Sequence, residues 1–169
     1  WEYVCFWNDV SHGDDSNPLT GETYSTYSDS NLGSNKNSNF QIFLDAIQTE
    51  FIPEPVFDEK ELQSQLSIFL RAKFPNNKID REVRIPSGGD IDIVIDNTFA
   101  IELKIPKDRT TLRNLIAQID EYQEYYPNIA VLLLDVSLPN MGKHLDEYRQ
   151  KYLEKYNAET IVVQGRLRG

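Results

Sequence analysis

Two short stretches in the middle of the chain, residues 90–96 and 98–105, alternate apolar and polar side chains. This period of two is typical of half-buried β-strands. Turn-forming residues at 96–98 separate the two stretches, so the pattern predicts a β-hairpin. The preceding segment, residues 81–85, alternates in the same way and predicts a third strand. Within residues 90–96 the alternation places Asp92 on the face opposite the isoleucines.

Helical spacing, with apolar residues three and four positions apart, occupies four other stretches of the chain. It predicts helices at about residues 40–51, 58–73, 110–125 and 143–156. Two unbroken apolar runs, NIAVLLLD and ETIVVQ, predict buried strands at residues 128–135 and 159–164. The succession of helix, three strands, helix, strand, helix and strand predicts an α/β fold.

Acidic residues are concentrated in the N-terminal third of this 169-residue chain, whose net charge is −10. Residues 1–56 contain nine acidic residues and one basic residue, whereas residues 57–169 contain eighteen and sixteen. Residues 8–39 are rich in Ser, Asn, Thr, Gly and Asp, and such a composition buries too little apolar surface to offset its ordering entropy. We therefore expect residues 1–56 to be an acidic N-terminal extension or linker with one short helix, and residues 57–169 to be the main domain.

The aromatic segment at residues 1–7 is expected to be either a strand or the end of a preceding domain. Because the chain begins at Trp1 rather than Met, we expect a further domain upstream in a parent chain. The only cysteine is Cys5, which favours a reducing, cytoplasmic location. No apolar run approaches the roughly 20 residues that span a bilayer, so no membrane partner is expected.

The predicted hairpin brings together the side chains with the clearest chemical meaning. Glu102 and Lys104 are two residues apart in a strand and therefore share a face. The hairpin returns Glu102 to the neighbourhood of Asp92 on the preceding strand. Two carboxylates supply the hard oxygen ligands that suit Mg²⁺ or Mn²⁺, and a nearby cation can orient a water molecule.

The order of Asp92 followed by Glu102-Leu103-Lys104 resembles the D…(D/E)-x-K signature of the PD-(D/E)xK nuclease superfamily. The usual Pro-Asp is replaced here by Ile91-Asp92, but only the carboxylate takes part in the chemistry. The resemblance covers about residues 57–165. It implies a restriction-endonuclease-like core, with an αβββαβ order plus an added helix and strand, and a mixed central sheet flanked by helices.

Two further motifs add to the resemblance. The run Glu59-Lys60-Glu61-Leu62 looks like the helix glutamate of archaeal Holliday junction resolvases, and helical spacing turns Glu59 inward. Glu61 is the alternative carboxylate, and a third interpretation is that Glu59 only complements the helix dipole. Gln118 and Tyr122 resemble the Q-x-x-x-Y motif of RecB-type nucleases. The resemblance implies that the glutamine and the tyrosine contact the nucleic-acid backbone or brace the site. Gln118 could equally lie at a solvent edge.

The resemblance implies the following roles. The catalytic residues would be Glu59, Asp92, Glu102, Lys104 and Gln118. The metal would be held by Asp92, Glu102, the Leu103 backbone carbonyl and Glu59. Nucleic acid, DNA more readily than RNA, would be bound by Tyr122, Arg84, Lys107, Arg109 and Arg113. The chain would then be a metal-dependent nuclease, and many members of the family act as homodimers. It would suit a nuclease module of a larger repair or defence protein.

Two other classes of function compete with this hypothesis. In a catalytically inactive α/β nucleic-acid-binding or protein-interaction domain, Asp92, Glu102 and Lys104 would form an ordinary cross-strand charge network. A small-ligand or nucleotide sensor is the third option, although the sequence has no glycine-rich phosphate loop.

Overall fold

The computed structural model describes residues 38–169. The expectations for residues 1–7 and for all but the last two residues of the polar stretch 8–39 lie outside the described residues; residues 38 and 39 begin helix α1. The helices and strands follow one another in this order: α1 (Ser38–Glu50), α2 (Glu59–Lys73), β1 (Ile79–Arg84), β2 (Asp90–Ile95), β3 (Phe99–Lys104), α3 (Arg109–Tyr122), β4 (Asn128–Asp135), α4 (Met141–Tyr156) and β5 (Glu159–Gln164).

The five strands form one mixed sheet in the spatial order β1-β2-β3-β4-β5. The pairs β1–β2 and β2–β3 are antiparallel, whereas β3–β4 and β4–β5 are parallel. Helices α3 and α4 form the connections between the parallel strands, as parallel pairing requires. The prediction of an α/β fold with a mixed sheet flanked by helices is confirmed.

A tight turn sets the register of β2 against β3. The Thr98 amide donates to the Ile95 carbonyl at 3.0 Å, and the two residues between them, Asp96 and Asn97, have φ of 51° and 54°. Positive φ at both central positions is the type I′ geometry that matches the twist of a hairpin. The resulting register pairs Ile95 with Phe99 and carries the two strands toward Asp92 and Glu102.

Two apolar clusters cover the two faces of the sheet. The first contains buried residues of α1 and α2, and the second contains buried residues of α3 and α4. Each cluster also takes side chains from the strands, so every helix has its apolar stripe against the sheet. Within residues 38–169, no helix combines the length and the apolar character needed to cross a membrane.

Helix α1 is an integral part of the first cluster. Phe40 stacks on Phe99 with ring centroids 5.2 Å apart, and Phe43 contacts the edge of Phe74 at 4.6 Å. Helix α1 therefore belongs to the same compact unit as residues 57–169.

Strand β2 departs from regular alternation at Asp92. Ile93 and Ile95 belong to the first cluster, but Ile91 belongs to the second. The isoleucines therefore do not share one face, as alternation predicted. The departure coincides with an irregularity in β1, where Glu82 has a φ of 51° and is not among the residues paired with β2. Positive φ is strained for a residue with a side chain, and such strain often occurs beside functional sites.

The position of α1 in the core can be tested by a matched pair of substitutions. Phe43→Ala removes a buried ring and should lower the free energy of unfolding by about 3–5 kcal/mol. Ile42→Ala, at the adjacent exposed position, should change it by less than about 0.5 kcal/mol. Urea denaturation followed by circular dichroism measures both values. Equal effects of the two substitutions would show that α1 does not belong to the cooperative core.

Candidate metal and catalytic site

Strands β2 and β3 part just before their acidic residues. Their ladder extends from Ile95–Phe99 to Ile93–Ile101 and includes no pair beyond it. At the next positions the Leu103 amide donates instead to Oδ2 of Asp92, at 2.7 Å. A side-chain carboxylate thus replaces a carbonyl in the ladder, and this contact fixes the orientation of Asp92. The sequence predicted Leu103 at the site through its carbonyl, and that contact stays a prediction.

Glu102 is the most buried acidic residue of the site, with 2% of its surface exposed. Its Oε1 accepts hydrogen bonds from Lys104 Nζ at 2.8 Å and from Gln118 Nε2 at 3.0 Å. Its Oε2 is buried and has no hydrogen-bond partner in the described part of the chain. Since buried polar atoms are usually paired, this oxygen is a place where a further ligand would be accommodated.

Glu59 connects α2 to the end of β3. It is the first residue of the helix, and Asp58 caps that end by accepting from the Glu61 amide. Oε1 of Glu59 accepts from the Ile105 amide at 2.9 Å, and Oε2 lies 3.4 Å from Lys104 Nζ. Lys104 therefore lies between the carboxylates of Glu59 and Glu102.

The alternative carboxylate, Glu61, points elsewhere. Its Oε2 accepts from the Phe57 amide at 2.8 Å, and its Oε1 pairs with Arg168. Of the two glutamates that the sequence left open, only Glu59 reaches Lys104 within the described residues.

Gln63, whose role was not predicted from the sequence, holds the backbone of Asp92 in place. It is 1% exposed and lies one turn after Glu59 on α2. Its Nε2 donates to the Asp92 carbonyl at 2.7 Å, and its Oε1 accepts from Arg81 at 2.9 Å. The signal was present in the sequence, because Gln63 is a polar residue on the inward face of a helix.

Gln118 and Tyr122 approach the site from α3. Gln118 donates to Glu102, and it also lies 3.4 Å from the Tyr122 hydroxyl, which donates to the Asp90 carbonyl at 3.0 Å. The Tyr122 ring is 1% exposed and offers no surface to a nucleic acid. Of the two expected roles, contact with the nucleic-acid backbone or bracing of the site, the geometry therefore supports bracing.

Burial and mutual proximity shift the ionisation of the three central groups. Burial raises the pKa of Glu102 to about 7, and the nearby Asp92 carboxylate adds to the increase. Burial also raises the pKa of Asp92, against the opposing effects of the Leu103 amide and Lys104. For Lys104, burial alone would lower the pKa, but Glu102, Glu59 and Asp92 outweigh it and raise the value. Lys104 therefore remains an ammonium at neutral pH.

The predicted phosphate-binding cations lie around this site but do not meet at one point. Arg84 is 3.4 Å from Asp90 near the turn between β1 and β2. Lys107 borders a cavity that it shares with Glu59. Neither cation takes part in the contacts among Asp92, Glu102 and Lys104.

Arg109 and Arg113, at the start of α3, border a separate polar cavity of about 320 Å³ together with Tyr148 and Lys151 of α4. Arg109 forms an ion pair with Glu147 at 2.5 Å, so part of its charge is already balanced. Lys151 lies over the Tyr148 ring, 5.3 Å from its centroid. The proximity of Lys151 to Arg113 depends on how α3 and α4 pack, which the sequence alone does not predict.

The donor set is suited to one hard divalent cation. Within residues 38–169, no group of three or more His, Cys, Asp or Glu residues is clustered as a ready-made metal site. Mg²⁺, however, is commonly held by one or two carboxylates together with water and substrate phosphates. Asp92 and Glu102 supply two carboxylates, and the unpartnered Oε2 of Glu102 is an oxygen of the required kind.

No family model matches the chain, and no curated protein matches it.

The raised pKa of Glu102 predicts an unusual dependence of stability on pH. Its pKa is about 7 in the folded protein against 4.5 ordinarily, so the folded state binds more protons between these values. Stability from this group is therefore present at low pH and is lost as pH rises from about 4.5 to about 7, by up to about 3 kcal/mol. Glu102→Gln should reduce this fall, as measured by urea denaturation in EDTA, and any decline that persists in the variant is expected from Asp92, whose pKa burial also raises.

Glu147→Gln provides a control for that measurement. The hydrogen bond from Arg109 lowers the pKa of the exposed Glu147, so its contribution has the opposite sign and is lost as pH falls. This variant should keep the decline between pH 4.5 and 7. A wild-type protein whose stability changes with pH as the Glu102→Gln variant does would contradict the assignment of a raised pKa to Glu102.

Proposed function

We propose that this chain is a divalent-metal-dependent nuclease of the PD-(D/E)xK type, with a restriction-endonuclease-like fold, that hydrolyses phosphodiester bonds in DNA. One observation carries the proposal: the buried Glu102 leaves Oε2 without a partner while it lies beside Asp92 and Lys104. An acidic oxygen without a donor, next to a second carboxylate, is a costly arrangement unless a cation or a proton occupies it.

Asp92, Glu102 and the Leu103 carbonyl would hold Mg²⁺ or Mn²⁺. When bound, the ion supplies Lewis-acid activation of the phosphate and a bound water of lowered pKa. The contribution of the protein is to fix the ligands. The Leu103 amide orients the Asp92 carboxylate, and Gln118 orients that of Glu102. Such outer contacts commonly tune a metal site by an order of magnitude or more.

Lys104 would act as a fixed positive charge rather than as a base. Its raised pKa keeps the side chain protonated, so its Nζ has protons to donate and no lone pair to accept one. An ammonium held between Glu59 and Glu102 can orient the attacking water or stabilise negative charge on the phosphate. Glu59 would position Lys104 and keep Ile105, at the end of β3, in place through its amide.

A second candidate function has its own support. Lys104 and Glu102 form a 2.8 Å ion pair, in which their charges neutralise each other. Such a pair also suits a catalytically inactive α/β nucleic-acid-binding or protein-interaction domain. In such a domain the same residues would only stabilise strands β2 and β3 where they part. The two functions differ in one observable, which is metal-dependent cleavage.

The test uses the purified chain with plasmid, single-stranded DNA, branched DNA and RNA, each titrated with Mg²⁺ or Mn²⁺. Wild-type protein should cleave DNA in a metal-dependent manner, and EDTA should stop the reaction. Asp92→Asn and Lys104→Met should each reduce cleavage by at least about 100-fold, because each removes a charge that acts on the reacting phosphate.

Asp90→Asn is the matched control, since Asp90 is an exposed carboxylate two residues from Asp92 on the same strand. This variant should cleave DNA as the wild type does. Circular dichroism and urea denaturation would verify that all three variants are folded. Full activity of Asp92→Asn or Lys104→Met would refute the nuclease assignment, and binding without cleavage by wild-type protein would favour the inactive domain.

A further inference from the structure

A cavity of about 330 Å³ opens directly beside Glu59. Glu59 and Ile105 form the side of the cavity that adjoins the candidate site, because the Ile105 amide donates to the Glu59 carboxylate. Phe57 and Leu167 supply apolar walls, and Asp58, Lys60 and Lys107 also border the cavity. Its volume is at the lower end of the range for small-ligand sites, which leaves room for one ring system and no more than part of a duplex.

The aromatic wall of this cavity is exposed but held in place. Phe57 has 62% of its surface exposed, which is unusual for a large apolar side chain. Its amide is fixed by Glu61, and the Arg168 guanidinium lies over its ring at 4.6 Å from the centroid. Arg168 is itself anchored, since it pairs with Glu61 and donates from Nε to the Pro55 carbonyl at 3.0 Å.

Arg168 supports the Phe57 ring without entering the cavity beside Glu59. It borders a different cavity, together with Glu54, Gln65 and Ile68, and it does not border the cavity beside Glu59. Phe57 borders the cavity beside Glu59 and not the other one. The ring is thus supported by Arg168 and also borders the cavity beside Glu59, which Arg168 does not border.

We propose that this cavity receives an unpaired nucleobase, which stacks on Phe57 while its phosphate lies toward the Lys104 ammonium that pairs with Glu59. This inference rests on the proposed nuclease function and specifies its substrate as nucleic acid with a single-stranded or frayed segment. Every base has a π-face, so an oriented aromatic ring binds single strands with little sequence preference. Lys107, which has no carboxylate partner within residues 38–169, supplies positive charge for the adjoining phosphates.

The preference for unpaired bases follows from the balance of two energies. A base in an intact duplex must first be unstacked and unpaired, and that cost is comparable to what one stacking contact returns. A base in a single strand has already lost its partner. The Phe57 cavity therefore favours single-stranded segments over intact duplex.

The experiment measures stacking directly and without cleavage. A single-stranded oligonucleotide that contains 2-aminopurine is titrated with the Asp92→Asn protein in Mg²⁺, because fluorescence of this base is quenched when it stacks. Adding Phe57→Ala should abolish the quenching and weaken binding by about tenfold. Phe57→Tyr should restore both, since it keeps the ring. Ile68→Ala, which removes an exposed apolar side chain from the other cavity, should change neither.

Cleavage assays on proteins with wild-type Asp92 complete the test. Phe57→Ala should lower kcat/KM for a single-stranded substrate by about tenfold while leaving cleavage of intact duplex unchanged. Quenching that persists in Phe57→Ala, or a loss that is equal for single-stranded and duplex substrates, would overturn the base-binding cavity. A wild-type protein that cleaves nothing, yet shows quenching dependent on Phe57, would refute the nuclease function and leave the cavity assignment standing.

Discussion

The parting of β2 and β3 beyond the Ile93–Ile101 pair is the constraint on which the rest of the site depends. Strands that separate leave buried amide and carbonyl groups without their ladder partners, and each such group costs about 1–3 kcal/mol if it stays unpaired. Side chains take over these bonds. Asp92 accepts from the Leu103 amide, Gln63 donates to the Asp92 carbonyl and Tyr122 donates to the Asp90 carbonyl. Side chains of the site and its immediate neighbours thus replace the missing ladder bonds where the two strands part.

The positive charge of Lys104 balances the carboxylates around it only in part. Lys104 pairs with Glu102 and Glu59, but burial, together with the nearby Asp92 carboxylate, still raises the pKa of Glu102 to about 7. Moving a carboxylate out of water costs several kcal/mol, and one ammonium shared among three carboxylates does not fully offset that cost. The arrangement is better suited to binding a cation than to stabilising the fold. Strongly perturbed pKa values in a cluster of titratable groups likewise favour a functional site over a purely structural one.

Periodicity predicted most of the fold from the sequence, because strands and helices bury their apolar residues at fixed spacing. The Asp96–Asn97 turn was equally readable, since few residues tolerate positive φ. The side of β2 on which Ile91 lies was not predicted, because regular alternation fails where β2 passes the irregularity at Glu82 in the neighbouring strand. Gln63 and Phe57 were overlooked for a related reason: the roles of both depend on long-range contacts, with Asp92 and with Arg168.

The first turns of α2 explain why the site and the neighbouring cavity are joined. Glu59 and Gln63 are four residues apart and share one face of the helix, and this face reaches Lys104 and Asp92. Glu61 lies about 200° from Glu59 around the helix and holds Phe57 and Arg168 instead. Helix α2 therefore carries both Glu59, which contacts Lys104, and Glu61, which holds Phe57. Because both glutamates belong to one helix, its backbone keeps them at a fixed spacing, and the position of the exposed ring relative to Glu59 depends on that spacing together with the contacts of Glu61.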